Sequence, residues 1–123
     1  MPKGAIESPG VATSATRLRE QIRELEVGFA NLRGRRDGVL TLLKLRDEVE
    51  EGLSQFEASG LDMRPERTRV QTVDNMISRK APEISRELGR IGGLEGARRQ
   101  EKPPEERWWW YVDLYHAERQ RKA

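Results

Sequence analysis

Phe56-Glu57-Ala58-Ser59-Gly60-Leu61-Asp62-Met63-Arg64-Pro65 (residues 56–65) is the segment on which the architecture turns. With Gly60 as the left-handed residue just past a helix end, Leu61 is the next residue out and Phe56 lies in the last helical turn. That is the pair whose apolar contact accompanies a Schellman cap. Pro65 follows at a first-turn position, with Asp62 or Arg64 before it and Glu66 after it, as at the start of a new helix. Two helices joined by so tight a reversal, around 59–64, run back along each other. The expected fold is therefore all-α, an antiparallel helical hairpin of coiled-coil type over 13–102.

Upstream of the turn, Val39, Leu42, Leu45, Val49, Leu53 and Phe56 recur at helical spacing. Before them Leu18, Ile22, Leu25, Phe29 and Leu32 are spaced 4, 3, 4, 3, the a/d stripe of a coiled-coil seam. Between the two sets lies Arg33-Gly34-Arg35-Arg36-Asp37-Gly38, where the seam changes phase and each glycine costs a helix about 1 kcal/mol relative to Ala. Extending the first register would put Arg46 and Glu50 in the core. Both glycines fall on the polar face of that register and no proline interrupts. The stretch therefore reads as one helix over 13–59, roughly 70 Å long, with an insertion in its heptad phase. Two helices meeting at a turn is the alternative. Thr13, Ser14 and Thr16 compete as N-cap. Residues 1–12, with Pro2, Gly4, Pro9 and Gly10, read as a flexible tail.

Downstream, Val70, Ile77, Ile84 and Ile91 keep a seven-residue spacing, with Val73 and Leu94 at d positions. Lys80 and Glu87 take the other d positions, and Pro82 should kink the helix by removing a ladder bond. Gly89, Gly92, Gly93 and Gly96 weaken it further, so it should fray or stop near 92–98. After a polar linker ending at Pro103-Pro104, Glu105 and Glu106 suit a helix start. The third unit, 103–123, is thus expected to be a tryptophan-rich C-terminal helix over about 104–121.

Composition limits the function. The chain has 123 residues, room for one domain, and 36% of them are charged against about 25% in ordinary domains, which suits an elongated helical shape. There is no cysteine, so disulfides, thiolate zinc sites and cysteine nucleophiles are excluded. No apolar run has the length of a membrane span and the start lacks the apolar core of a signal peptide, so membrane partnership is not expected and a cytoplasmic location is. The one histidine, His116, has Asp113 nearby but no second His or Cys to complete a metal site. The glycine cluster at 89–96 lacks the spacing and preceding strand of a phosphate cradle. We expect no enzyme, no metal and no cofactor.

Two features suggest binding. Trp108, Trp109, Trp110 and Tyr111, followed by Val112, Leu114 and Tyr115, make a very wide apolar arc on a helical wheel. Trp109 falls on the polar side, at 100° from Trp108, so one seam cannot bury all three indoles. Trp108, Trp109, Trp110, Tyr111 and Tyr115 are therefore the expected contact residues for a protein partner or a second copy, with Trp109 the most available. Leu40, Leu43 and Val27 lie outside the hairpin seam and suggest a homo-oligomer. The leading function is a non-enzymatic assembly or adaptor protein. The second reading is a small helical nucleic-acid-binding subunit, because only the second helix is net basic and Arg33, Arg35 and Arg36, with Arg98 and Arg99, offer guanidinium groups to phosphates.

Overall fold

The computed structural model describes residues 9–34 and 38–114, with side chains from residue 14 onward. Among these residues all regular structure is helical. Helix α1 (Pro9–Ala30) begins ahead of the expected Thr13 start, with its proline at the first position, where the missing N–H costs nothing. Thr13, Ser14 and Thr16 consequently lie inside the helix. Then follow α2 (Gly38–Ala58), α3 (Arg64–Arg79), α4 (Ala81–Glu87), a 3₁₀ turn at Gly89–Ile91, α5 (Gly93–Glu101) and a second 3₁₀ turn at Trp108–Trp110.

The single long helix over 13–59 is not formed; the turn is. At the end of α1 the Asn31 amide donates to the Val27 carbonyl at 2.8 Å and the Asn31 backbone N–H to Gly28 at 3.1 Å. Gly34 then takes φ +84°, which no straight helix accommodates. The long arm folds on itself, and the hairpin becomes a bundle in which α1 packs against both α2 and α3. The change of phase between the two apolar sets is the mark of this break. Leu18, Ile22, Leu25, Phe29 and Leu32 are all buried, as are Val39, Leu42, Leu45, Val49 and Leu53. Gly28 lets α1 and α2 approach closely, since a Cβ there would run into the Leu42 methyl groups.

The reversal at Gly60 forms as its residues dictate. Gly60 has φ +89°, its N–H donates to Glu57 O at 2.9 Å and the Leu61 N–H to Phe56 O at 3.1 Å, the two bonds of a Schellman cap. Pro65 sits in the first turn of α3. Val70, Val73, Ile77 and Ile84 are buried and Ile91 is half-buried. Pro82 ends α3 and opens α4 rather than bending one helix. Lys80, an apparent fault in the seam, spans from α3 to the end of α1, where its Nζ donates to Phe29 O at 2.9 Å. A cation there satisfies a carbonyl that the helix end leaves unpaired. This bond also puts the C-terminal ends of α1 and α3 together.

The apolar surface expected to drive oligomerisation is smaller than the sequence suggests. Leu43 is fully buried and Leu40 is packed against the core. Val27 (39% exposed) and Leu114 (52%) are the exposed large apolar side chains among the described residues. No described helix is long and apolar enough to cross a membrane.

Candidate functional site

The aromatic segment does not continue as a helix from 104. Its backbone N–H groups bond three residues back, Arg107 to Pro104, Trp110 to Arg107 and Tyr111 to Trp108, which makes a 3₁₀ turn after Pro103-Pro104. That turn lays the indoles against α2. Trp109 (2% exposed) and Trp110 (1%) are both buried, which corrects the expectation that Trp109 faces outward. A buried indole N–H needs an acceptor. One atom supplies both: Asp47 Oδ1 accepts from Trp109 Nε1 at 2.8 Å and from Trp110 Nε1 at 3.0 Å. Arg107 also lies 3.3 Å from the same oxygen. The helical wheel failed because it assumes 100° per residue on a backbone that is not an α-helix here.

The segment is tied down at its other end by α5. Arg98 grips Asp113 with both terminal nitrogens, at 2.6 and 3.2 Å, and donates to the Trp110 carbonyl at 2.9 Å. The Tyr111 hydroxyl donates to the Pro103 carbonyl at 2.6 Å. Trp108 and Tyr111 are half-buried, while Tyr115 and His116 lie outside the described residues. Of the five aromatic residues expected to meet a partner, two are therefore core, two are half-covered, and the last is not described.

Beside Trp109 the bundle carries a buried polar network that the sequence pattern did not reveal. Arg46 is 2% exposed. Its guanidinium holds both Asp74 oxygens at 2.9 and 3.0 Å and Glu50 at 3.1 Å, and lies 4.1 Å from the centre of the Trp109 ring. Arg67 links Glu50 at 3.0 Å to Glu57. Burial pushes the Glu50 carboxyl up, but the hydrogen bonds and charges of Arg67 and Arg46 outweigh it and hold the carboxyl below its ordinary value. Arg46, Glu50, Arg67 and Asp74 line an open cleft of about 570 Å³ with Trp108, Trp109 and Arg107. Its charged walls are largely saturated by one another. Among the described residues no group of three or more His, Asp or Glu side chains is placed to hold a metal ion.

The other cations divide sharply. Along the bundle and at the Gly60 end they are paired: Arg19 with Glu66, Arg69 with Glu26, Arg64 with Asp62. The hydrogen bond from Arg69 lowers the Glu26 carboxyl, and the side-chain and backbone bonds from Arg64 take Asp62 to about 2. At the opposite end, where α1 turns into α2 and α3 gives way to α4, the pairing stops. Arg33, Arg79, Arg86 and Arg90 are exposed and, among the described residues, none forms an ion pair. Arg33 and Arg86 line an open cleft of about 480 Å³ together with Glu83 and Glu87. Elsewhere only Arg17, Arg23 and Lys102 lack an ion pair among the described residues, and they are scattered.

Of the arginines expected to meet nucleic acid, Arg33 is therefore at this free end and Arg35 and Arg36 lie outside the described residues. Arg98 is engaged inside the protein, and Arg99 pairs with Glu95 at 3.5 Å. Arg86 was missed, because only the fold brings it to the same cleft as Arg33; Arg79 and Arg90 flank it in the chain. No protein-family model matches the chain, and neither a curated protein nor a solved structure does.

Proposed function

We propose that the protein is a non-enzymatic adaptor, a rigid helical bundle that docks a macromolecular partner at the end formed by the α1–α2 turn, the C-terminus of α3 and α4. One observation carries this: among the described residues the exposed arginines of that end form no ion pair, although Glu83 and Glu87 are near, whereas most cations elsewhere do. An unpaired guanidinium keeps its full capacity for a charge-assisted bond to an anionic group. The burial of Trp109 and Trp110 moves the proposed contact away from the aromatic segment, whose part in this reading is to fix the bundle. Among the described residues self-association finds little exposed apolar surface beyond Val27 and Leu114, which favours a different molecule over a second copy.

The test is affinity purification from the native source with the parent chain and with an Arg33→Glu/Arg86→Glu variant. The variant should lose the captured partner while melting as the parent does, because both side chains are exposed. Equal capture by both chains sinks the proposal.

A further inference from the structure

We infer that the arginine-bearing end of the bundle binds the phosphate backbone of a nucleic-acid duplex. This rests on the reading of that end as a docking surface and names what docks there. Arg33 and Arg86 both line the cleft, Arg79 closes α3, and Arg90 sits in the 3₁₀ turn that follows α4. Arg79 reaches only the Asn75 carbonyl of its own helix, at 3.4 Å. Lys80 is committed to the end of α1 and adds charge without adding a free donor group of the same reach. Within the cleft Glu83 and Glu87 balance Arg33 and Arg86, and it is Arg79, Lys80 and Arg90, close by in the chain, that make the end positive.

The residue types select among anionic partners. Four guanidinium forks match phosphate oxygens two at a time, which an ammonium does not. A protein partner is usually anchored by aromatic residues in a desolvated centre. The stretches 31–34 and 79–91 contain no aromatic residue, and Leu32, Ala81, Ile84 and Leu88 are buried. A lipid surface needs several apolar groups to insert, and among the described residues the one exposed large apolar side chain near this end is Val27. Single strands are held by stacking on exposed aromatic rings, whereas Trp109 and Trp110 are enclosed. What remains is contact with the phosphates of a duplex, which positions a protein without reading bases.

Fluorescence anisotropy of a short labelled DNA duplex, titrated with the full chain over a range of salt, tests this. Four phosphates neutralised give a slope of log affinity against log salt of about −3.6, or about a 150-fold loss between roughly 50 and 200 mM salt. Arg33→Ala and Arg86→Ala should each weaken binding and flatten the slope by about 0.9, with melting unchanged. Arg17→Ala removes the same charge from the other half of α1 and should leave affinity and slope as in the parent. No duplex binding at low salt, or equal weakening by Arg17→Ala, overturns the inference. Binding to poly-glutamate or to phosphatidylserine vesicles in place of the duplex overturns it too, but leaves the docking surface standing if the Arg33→Glu/Arg86→Glu variant still loses its captured partner.

Discussion

Removing the Asp47 carboxylate should detach the aromatic segment from the bundle more effectively than any other single change on α2. In the parent, one oxygen of Asp47 takes both indole N–H groups, and Asp47→Ala leaves two buried donors without an acceptor. A buried donor left unsatisfied costs about 1–3 kcal/mol, so two give about 2–6 kcal/mol. The Asp47 side chain is 29% exposed, so water enters the space it vacates and brings the expected loss toward the lower bound, about 2–3 kcal/mol. For a domain of this length that is a melting temperature lower by roughly 10 °C. Asp47→Asn keeps a carbonyl oxygen for the indoles and loses only the charge facing Arg107, so it should cost about 1 kcal/mol. The assay is thermal melting by circular dichroism, with tryptophan emission as a second readout. Asp47→Ala should shift emission to the red as water reaches the indoles, and Asp47→Asn should shift it little. If Asp47→Ala melts within about 2 °C of the parent, the shared acceptor is not what holds the aromatic segment against α2.

Other perturbations test separate parts of the structure. Trp109→Ala should destabilise by about 3 kcal/mol, as for a fully buried aromatic residue, and a melting curve like the parent's would restore the outward-facing placement. Arg46→Ala strands Asp74, leaves Glu50 to Arg67 alone and should cost about 3 kcal/mol, checked by urea unfolding; a smaller loss than that of the exposed Arg64→Ala would contradict the buried network. Gly60→Val meets no neighbouring atom, so its cost, about 1–2 kcal/mol by melting, is that of the left-handed backbone alone. Acid should destabilise the protein in a defined window. Glu26, Glu50 and Glu57 ionise more readily folded than their ordinary 4.5, so their stabilisation is complete above that pH and is lost as pH falls through the lower folded values. Arg67→Gln removes the partner of Glu50 and Glu57, and the melting temperature of that variant should fall less steeply below about pH 4.5.

Features set by near neighbours in the chain were legible. Gly60, Leu61 and Phe56 define a cap within six residues, and the structure has that cap. The apolar stripes named the core, because burial on a helix follows a fixed local period. The α1–α2 break was visible as a change of phase, but its outcome depended on whether the energy of folding back exceeded the cost of a turn. Gly28 against Leu42 shows how close the two helices come once it does.

The tryptophans and the arginines were misread for one reason. Whether a polar group is available depends on which partner the fold brings to it, and those partners are distant in sequence. Trp109 and Trp110 are separated from Asp47 by 62 and 63 residues, and no periodicity links them. Arg98 looked free in a polar stretch until Asp113 folded back onto it. With charges of both signs so evenly mixed, folding sorts the cations into those that meet a carboxylate and those that do not. Had the sorting been random, the unpaired ones would be spread over the surface. Arg17, Arg23 and Lys102 are spread in that way, but Arg33 and Arg86 share one cleft near the joined ends of α1 and α3, with Arg79 and Arg90 close by in the chain, and packing gains nothing from that concentration of like charge. A repulsion retained at one end of a bundle whose remaining surface is mostly neutralised in pairs is the physical reason to look for an anionic partner there.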